Sequence, residues 1–118
     1  MVYKKIHDDL YNVDLLYFSG CDVDVAQKKA NRVFNIQEEL VVEKDEDAAF
    51  FTCTTRDNRH VYIIWSKKSR NIPTVTHEII HLIHEVFNNR GIPTTYKNQE
   101  AMAYYMDFWI KQILKRNK

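Results

Sequence analysis

Glycine and proline are scarce in this chain, two of each among 118 residues, so every one of the four is an informative stop or turn signal. Cysteine is as sparse. Cys21 and Cys53 lie far apart, without CxxC spacing or a disulfide-rich context, so two buried free thiols are expected rather than a disulfide framework. A surplus of either charge is also missing. Seventeen basic against sixteen acidic side chains leave a formal net charge of +1, which gives no electrostatic footprint for nucleic acid or an anionic membrane, and neither partner is expected. Long apolar runs are lacking as well. The stretch from Ile79 to Ile83 is broken by His81, too short to cross a bilayer. At the N-terminus, Lys4 and Lys5 are followed by Asp8 and Asp9 instead of an apolar segment, so no signal peptide is read and a cytoplasmic chain is expected.

What the chain does contain is an ordinary globular balance, 45% apolar and 28% charged residues. This excludes a disordered chain and suits one domain over residues 1–118. Val13–Ser19 reads as a strand ending at Gly20, and Asp22 or Asp24 can cap a helix over about Val25–Asn35. A meander follows: a short strand at Leu40–Glu43, then Ala48–Thr55 and His60–Ser66 joined by a hairpin connection at 56–59. In the last of these, Val61, Ile63 and Trp65 point to one face and Tyr62 and Ile64 to the other. Pro73 suits the first turn of a helix, with Thr74 or Thr76 as its cap, and Gly91 and Pro93 stop it. Asn98 caps a final helix running to about Lys115. The expected class is α+β: a small, mostly antiparallel sheet packed on an N-terminal helix and two C-terminal helices.

Residues 77–81 read His-Glu-Ile-Ile-His. A helix turns about 100° per residue, so His77 and His81 lie about 40° apart and can reach one zinc ion, with Glu78 beside them to take a proton from a metal-bound water. In this reading Ile79, Ile80, Leu82, Ile83, Val86 and Phe87 form the apolar face, and His77, Glu78, His81, His84 and Glu85 the polar one. A catalytic zinc site takes three protein ligands and leaves a position for water. Glu100, His84, Glu85 and His60 are the candidates for the third. Glu100 is favoured because its helix is apolar over most of its circumference, leaving one narrow polar stripe of Glu100, Tyr104, Asp107 and Lys111. Carboxylates on a helix buried nearly all round must face something that offsets their desolvation.

With Glu100 eighteen residues beyond His81, the arrangement resembles the gluzincins, HExxH metallopeptidases whose third ligand is a glutamate on the following helix. The stretch from Thr76 through His84, then Gly91-Ile92, then Asn98 through Tyr105 is most similar to short HExxH proteins encoded in phage and prophage genomes. The resemblance covers residues 76–110. It implies a minimal zincin-like fold, with the HExxH helix lining a cleft below an edge strand, and a Zn2+ ion held by His77, His81 and Glu100. Where larger gluzincins carry a histidine-orienting aspartate, this chain has Tyr104.

The expected function is zinc-dependent peptide-bond hydrolysis on a peptide or protein substrate, with Glu78 as general base. Tyr104 is the first candidate for the oxyanion donor, and His84 and Tyr96 are alternatives. The competing expectation is a zinc-binding but catalytically inactive structural or interaction protein of phage origin. His60–Ser66, if it is the edge beside the cleft, would bind substrate by strand addition. Lys67, Lys68 and Arg70 beyond it form a solvated turn or attract an acidic substrate segment.

Overall fold

The computed structural model describes residues 1–68 and 71–115. The chain runs β1 (Val2–Asp8), β2 (Val13–Ser19), α1 (Val23–Phe34), β3 (Ala48–Thr54), β4 (His60–Ser66), α2 (Ile72–Asn89), a single 3-10 turn (Tyr96–Asn98) and α3 (Gln99–Leu114). The strands form one sheet in the order β1-β2-β4-β3. The outer pairs are antiparallel, but the central pair, β2 with β4, is parallel, with Leu15 opposite Tyr62 and Ser19 opposite Ser66. The class is therefore α+β, as expected, with a mixed sheet.

Parallel strands need a crossover, and here α1 and β3 provide the chain between them. Because helices cover both faces, β2 and β4 are buried on both sides. On one face Leu16, Phe18, Val61, Ile63 and Trp65 pack against Ala26, Ala30 and Phe34 of α1. On the other, Leu15, Tyr17, Tyr62 and Ile64 meet Ile79, Leu82 and Val86 of α2 and Tyr105, Trp109 and Ile113 of α3. The alternation read along His60–Ser66 holds residue by residue. Cys53 is buried, its thiol pushed up to about 12 by desolvation, whereas Cys21 is only half-buried; both are free.

The structure adds one element that the sequence reading lacks and corrects two expectations. Val2–Asp8 forms a full strand that its charged residues concealed. Leu40–Glu43 forms no strand: Leu40 donates its N–H to Gln27 Oε1 (2.5 Å), which holds the segment as a loop against α1. The sheet edge is β3, and His60–Ser66 lies inside the sheet between β2 and β3.

Helix ends follow local chemistry. The cap of α2 is Asn71, whose side chain accepts from the Thr74 N–H (3.3 Å), in place of Thr74 or Thr76. Gly91 adopts φ +67°, the left-handed conformation that ends a helix most easily at glycine. α3 is tied to β1 at two points along that strand. Tyr105 donates its hydroxyl to the buried carboxylate of Asp8 (2.8 Å), which also accepts from the N–H groups of Leu10 and Tyr11. Lys4 places its ammonium on the carbonyls of Gln112 (3.1 Å) and Lys115, where the helix dipole favours a cation.

Tyr105→Phe removes one hydrogen bond to a charged, buried acceptor and is expected to cost about 1.5–3 kcal/mol in urea unfolding. Tyr104→Phe, on the solvent side of the same helix, is expected to stay within about 0.5 kcal/mol.

Candidate metal and peptide site

α2 presents its core face through Val75, Ile79, Leu82, Ile83, Val86 and Phe87. His77 and His81 stand on the opposite, exposed side. Their Nε2 atoms converge to 3.2 Å, with the rings nearly perpendicular at 78°. Two nitrogens bound tetrahedrally at zinc distances of about 2.05 Å stand roughly 3.3 Å apart, so this pair already has the separation of two ligands on one ion.

Glu78 departs from the amphipathic reading. It is only 7% exposed and lies at the margin of the buried face, whereas Ile80, assigned to that face, is 42% exposed. Among the described residues no hydrogen bond or ion pair reaches the Glu78 carboxylate, although it lines an open depression together with His77, His81 and Glu46. Desolvation pushes its pKa up; the two histidines oppose that shift and Glu46 reinforces it. The Glu78 carboxylate is thus buried, close to two imidazoles, and opens on a cleft.

The other wall is β3. Phe50 lines both this depression, of about 400 Å³, and a larger one of about 660 Å³ that continues past His81 to His84, Glu85 and Asn88. A single cleft therefore runs between α2 and the sheet edge. The backbone groups of Thr54 face outward, since its carbonyl accepts from Gln37 N–H (2.8 Å) and its N–H donates to Glu38 Oε1 (2.8 Å). In an antiparallel strand, orientation alternates, so Ala48, Phe50 and Thr52 also turn their N–H and C=O groups away from β4. These same three residues line the cleft.

The remaining expected site residues are not brought to this point. Glu100 lies exposed in the first turn of α3, and Tyr104 is 70% exposed on the same stripe as Asp107 and Lys111. The helix is not buried nearly all round: Tyr105, Trp109 and Ile113 alone are fully buried, so desolvation gives no reason for Glu100 to seek a metal. Neither Glu100 nor Tyr104 lines the cleft beside His77 and His81. Among the described residues, no three His, Cys, Asp or Glu side chains stand together as a metal-binding group. Tyr96 is 89% exposed, and His60 is exposed at the start of β4. His84 does line the larger depression. The residue that sequence reasoning missed is Glu46, whose place beside Glu78 no motif signals.

Beyond β4, Lys67 takes part in a backbone bond to Asp47 (N–H to carbonyl, 2.7 Å) and Lys68 is paired with Asp47 (3.6 Å) in the open, a solvated turn; Arg70 lies outside the described residues. No helix among the described residues is long and apolar enough to cross a membrane. Comparison with known families, characterised proteins and solved structures gives no match.

A raised carboxylate pKa means that ionising Glu78 opposes folding. That penalty is absent below the ordinary carboxylate range and grows as pH rises through the raised value. With chelator present, Glu78→Gln is therefore expected to melt higher than wild type at pH 7, with a gap that narrows towards pH 4 in calorimetry.

Proposed function

We propose that this chain is a zinc-dependent peptide hydrolase, in which an extended substrate lies along the β3 edge and meets Glu78 beside a metal held by His77 and His81. The observation that carries the reading is the 3.2 Å convergence of the two Nε2 atoms next to a buried carboxylate. The donor pair fits zinc in type and spacing, and imidazole is a preferred zinc ligand. Glu100 is proposed as the third ligand from its position in the sequence, and its exposure leaves its carboxylate at liberty to turn. When bound, zinc would lower the pKa of a water molecule and polarise a carbonyl.

The rest of the chemistry falls to this chain's own residues. The outward N–H and C=O groups of Ala48, Phe50 and Thr52 would pair with the substrate backbone as an added strand, fixing its register against α2. Glu78 would accept a proton from the attacking water and deliver it to the leaving amine. His84, which lines the cleft, is better placed than Tyr104 to donate to the oxyanion. The fold this reading implies is a minimal zincin-like one, with the HExxH helix below an edge strand. The exposure of Tyr104 also favours a second reading, a zinc-binding interaction protein without turnover.

Elemental analysis of the purified protein should give one zinc per chain. Zinc at about a thousand times its dissociation constant should add about 4 kcal/mol to stability, and chelation should remove it. Glu78→Gln should keep the metal and lose about 10²–10⁴-fold in peptide cleavage, while His77→Ala with His81→Ala loses both. Glu100→Ala should weaken zinc binding without altering the chelated protein's melting temperature. Metal-loaded wild type that leaves a broad peptide library uncut, indistinguishable from Glu78→Gln, would establish the second reading.

A further inference from the structure

Beside the cleft, on the side of α2 away from β3, a second groove of about 360 Å³ opens between α2 and α3. Ile80 and Ile83 form one wall, and Met102, Ala103 and Met106 the other. His84 closes it towards the cleft and is shared by both depressions, so they meet around that one side chain. The groove is almost wholly apolar, whereas the cleft it joins is lined by histidines, carboxylates and amides.

Resting on the peptide-hydrolase reading, we infer that this groove is a specificity subsite that receives one large apolar side chain, such as Leu, Met or Phe, of a peptide bound in the cleft. Three observations support this occupant. The volume exceeds what one such side chain needs but is at the lower end for a whole drug-sized ligand. The apolar lining has no carboxylate or ammonium to recognise a charged residue, and two flexible methionines can adjust to several apolar shapes. The distance also suits a neighbour of the reacting bond: His84 is three residues after His81, a rise of about 4.5 Å along α2. An extended peptide advances about 3.3 Å per residue, so the side chain entering the groove belongs one or two residues from the bond beside His81. Ile80, 42% exposed at the groove's rim, is the wall such a side chain would cover.

The test uses alanine-rich hexapeptides carrying a single Leu, Phe or Asp at each successive position. Binding to zinc-loaded Glu78→Gln is followed by fluorescence anisotropy, and kcat/KM is measured on wild type. At one position Leu or Phe should be preferred over Ala by on the order of tenfold, and Asp rejected. Ala103→Trp, a change at an exposed helical position that fills the groove, should collapse that preference. Met102→Ala, which enlarges the groove, should shift it from Leu towards Phe. A preference at one position in the binding assay without hydrolysis would sink the hydrolase reading and leave the subsite standing. Hydrolysis with no apolar preference, a preference indifferent to both substitutions, or no binding of any peptide would overturn the subsite.

Discussion

The parallel pairing of β2 with β4 is the constraint on which the other parts depend. Leu15 to Ser19 lie beside Tyr62 to Ser66 with helices on both faces, so neither strand can shift register without moving its apolar residues to the wrong layer. Once this pair is set, β1 and β3 have one free flank each, and the helix leaving β4 must return across the face formed by Leu15, Tyr17, Tyr62 and Ile64. That return brings α2 alongside β3 instead of β1. The cleft is thus a product of strand order: an edge with outward-turned backbone groups on one side, and the exposed half of an amphipathic helix on the other.

Much of this was readable in the residues, and the failures share a cause. Val13–Ser19 and His60–Ser66 were found with correct bounds because interior strands are dense in apolar residues. β1 was missed because its face towards α3 reads Val2, Lys4, Ile6, Asp8: the alternation is present, but two of its four members are charged. Their partners, the carbonyls ending α3 and the hydroxyl of Tyr105, lie about a hundred residues away, where a local pattern cannot see them. The parallel centre of the sheet was missed for a similar reason, since a hairpin connection is a local signal and a crossover is not.

At the site, the pair His77 and His81 was legible because four-residue spacing on a helix is a purely local geometry. Glu78 was recognised for its chemistry but given the wrong environment. It falls on the boundary of the helix faces, and only the neighbouring strand decides that the boundary is covered. α3 was misjudged in the opposite sense. Its apolar composition suggested burial over most of the circumference, yet Ala103 is exposed and Ala101, Met102 and Met106 are only partly buried, because an apolar residue need not be inside. The inference drawn for Glu100 from that burial falls with it, and the case for Glu100 now rests on sequence position alone.

The ties between β1 and α3 carry a consequence for how the molecule is made. Lys4 and Asp8 are synthesised about a hundred residues ahead of their partners Gln112 and Tyr105, so α3 can dock only after the sheet and α2 have been made. Until then α2 has no partner along Ile80 and Ile83, and the groove there has only one wall. His77, Glu78 and His81, and the β3 edge beside them, thus all precede α3 in the order of synthesis. The ties that fasten α3 are therefore made after both walls of the cleft, α2 and β3, an order set by the chain alone.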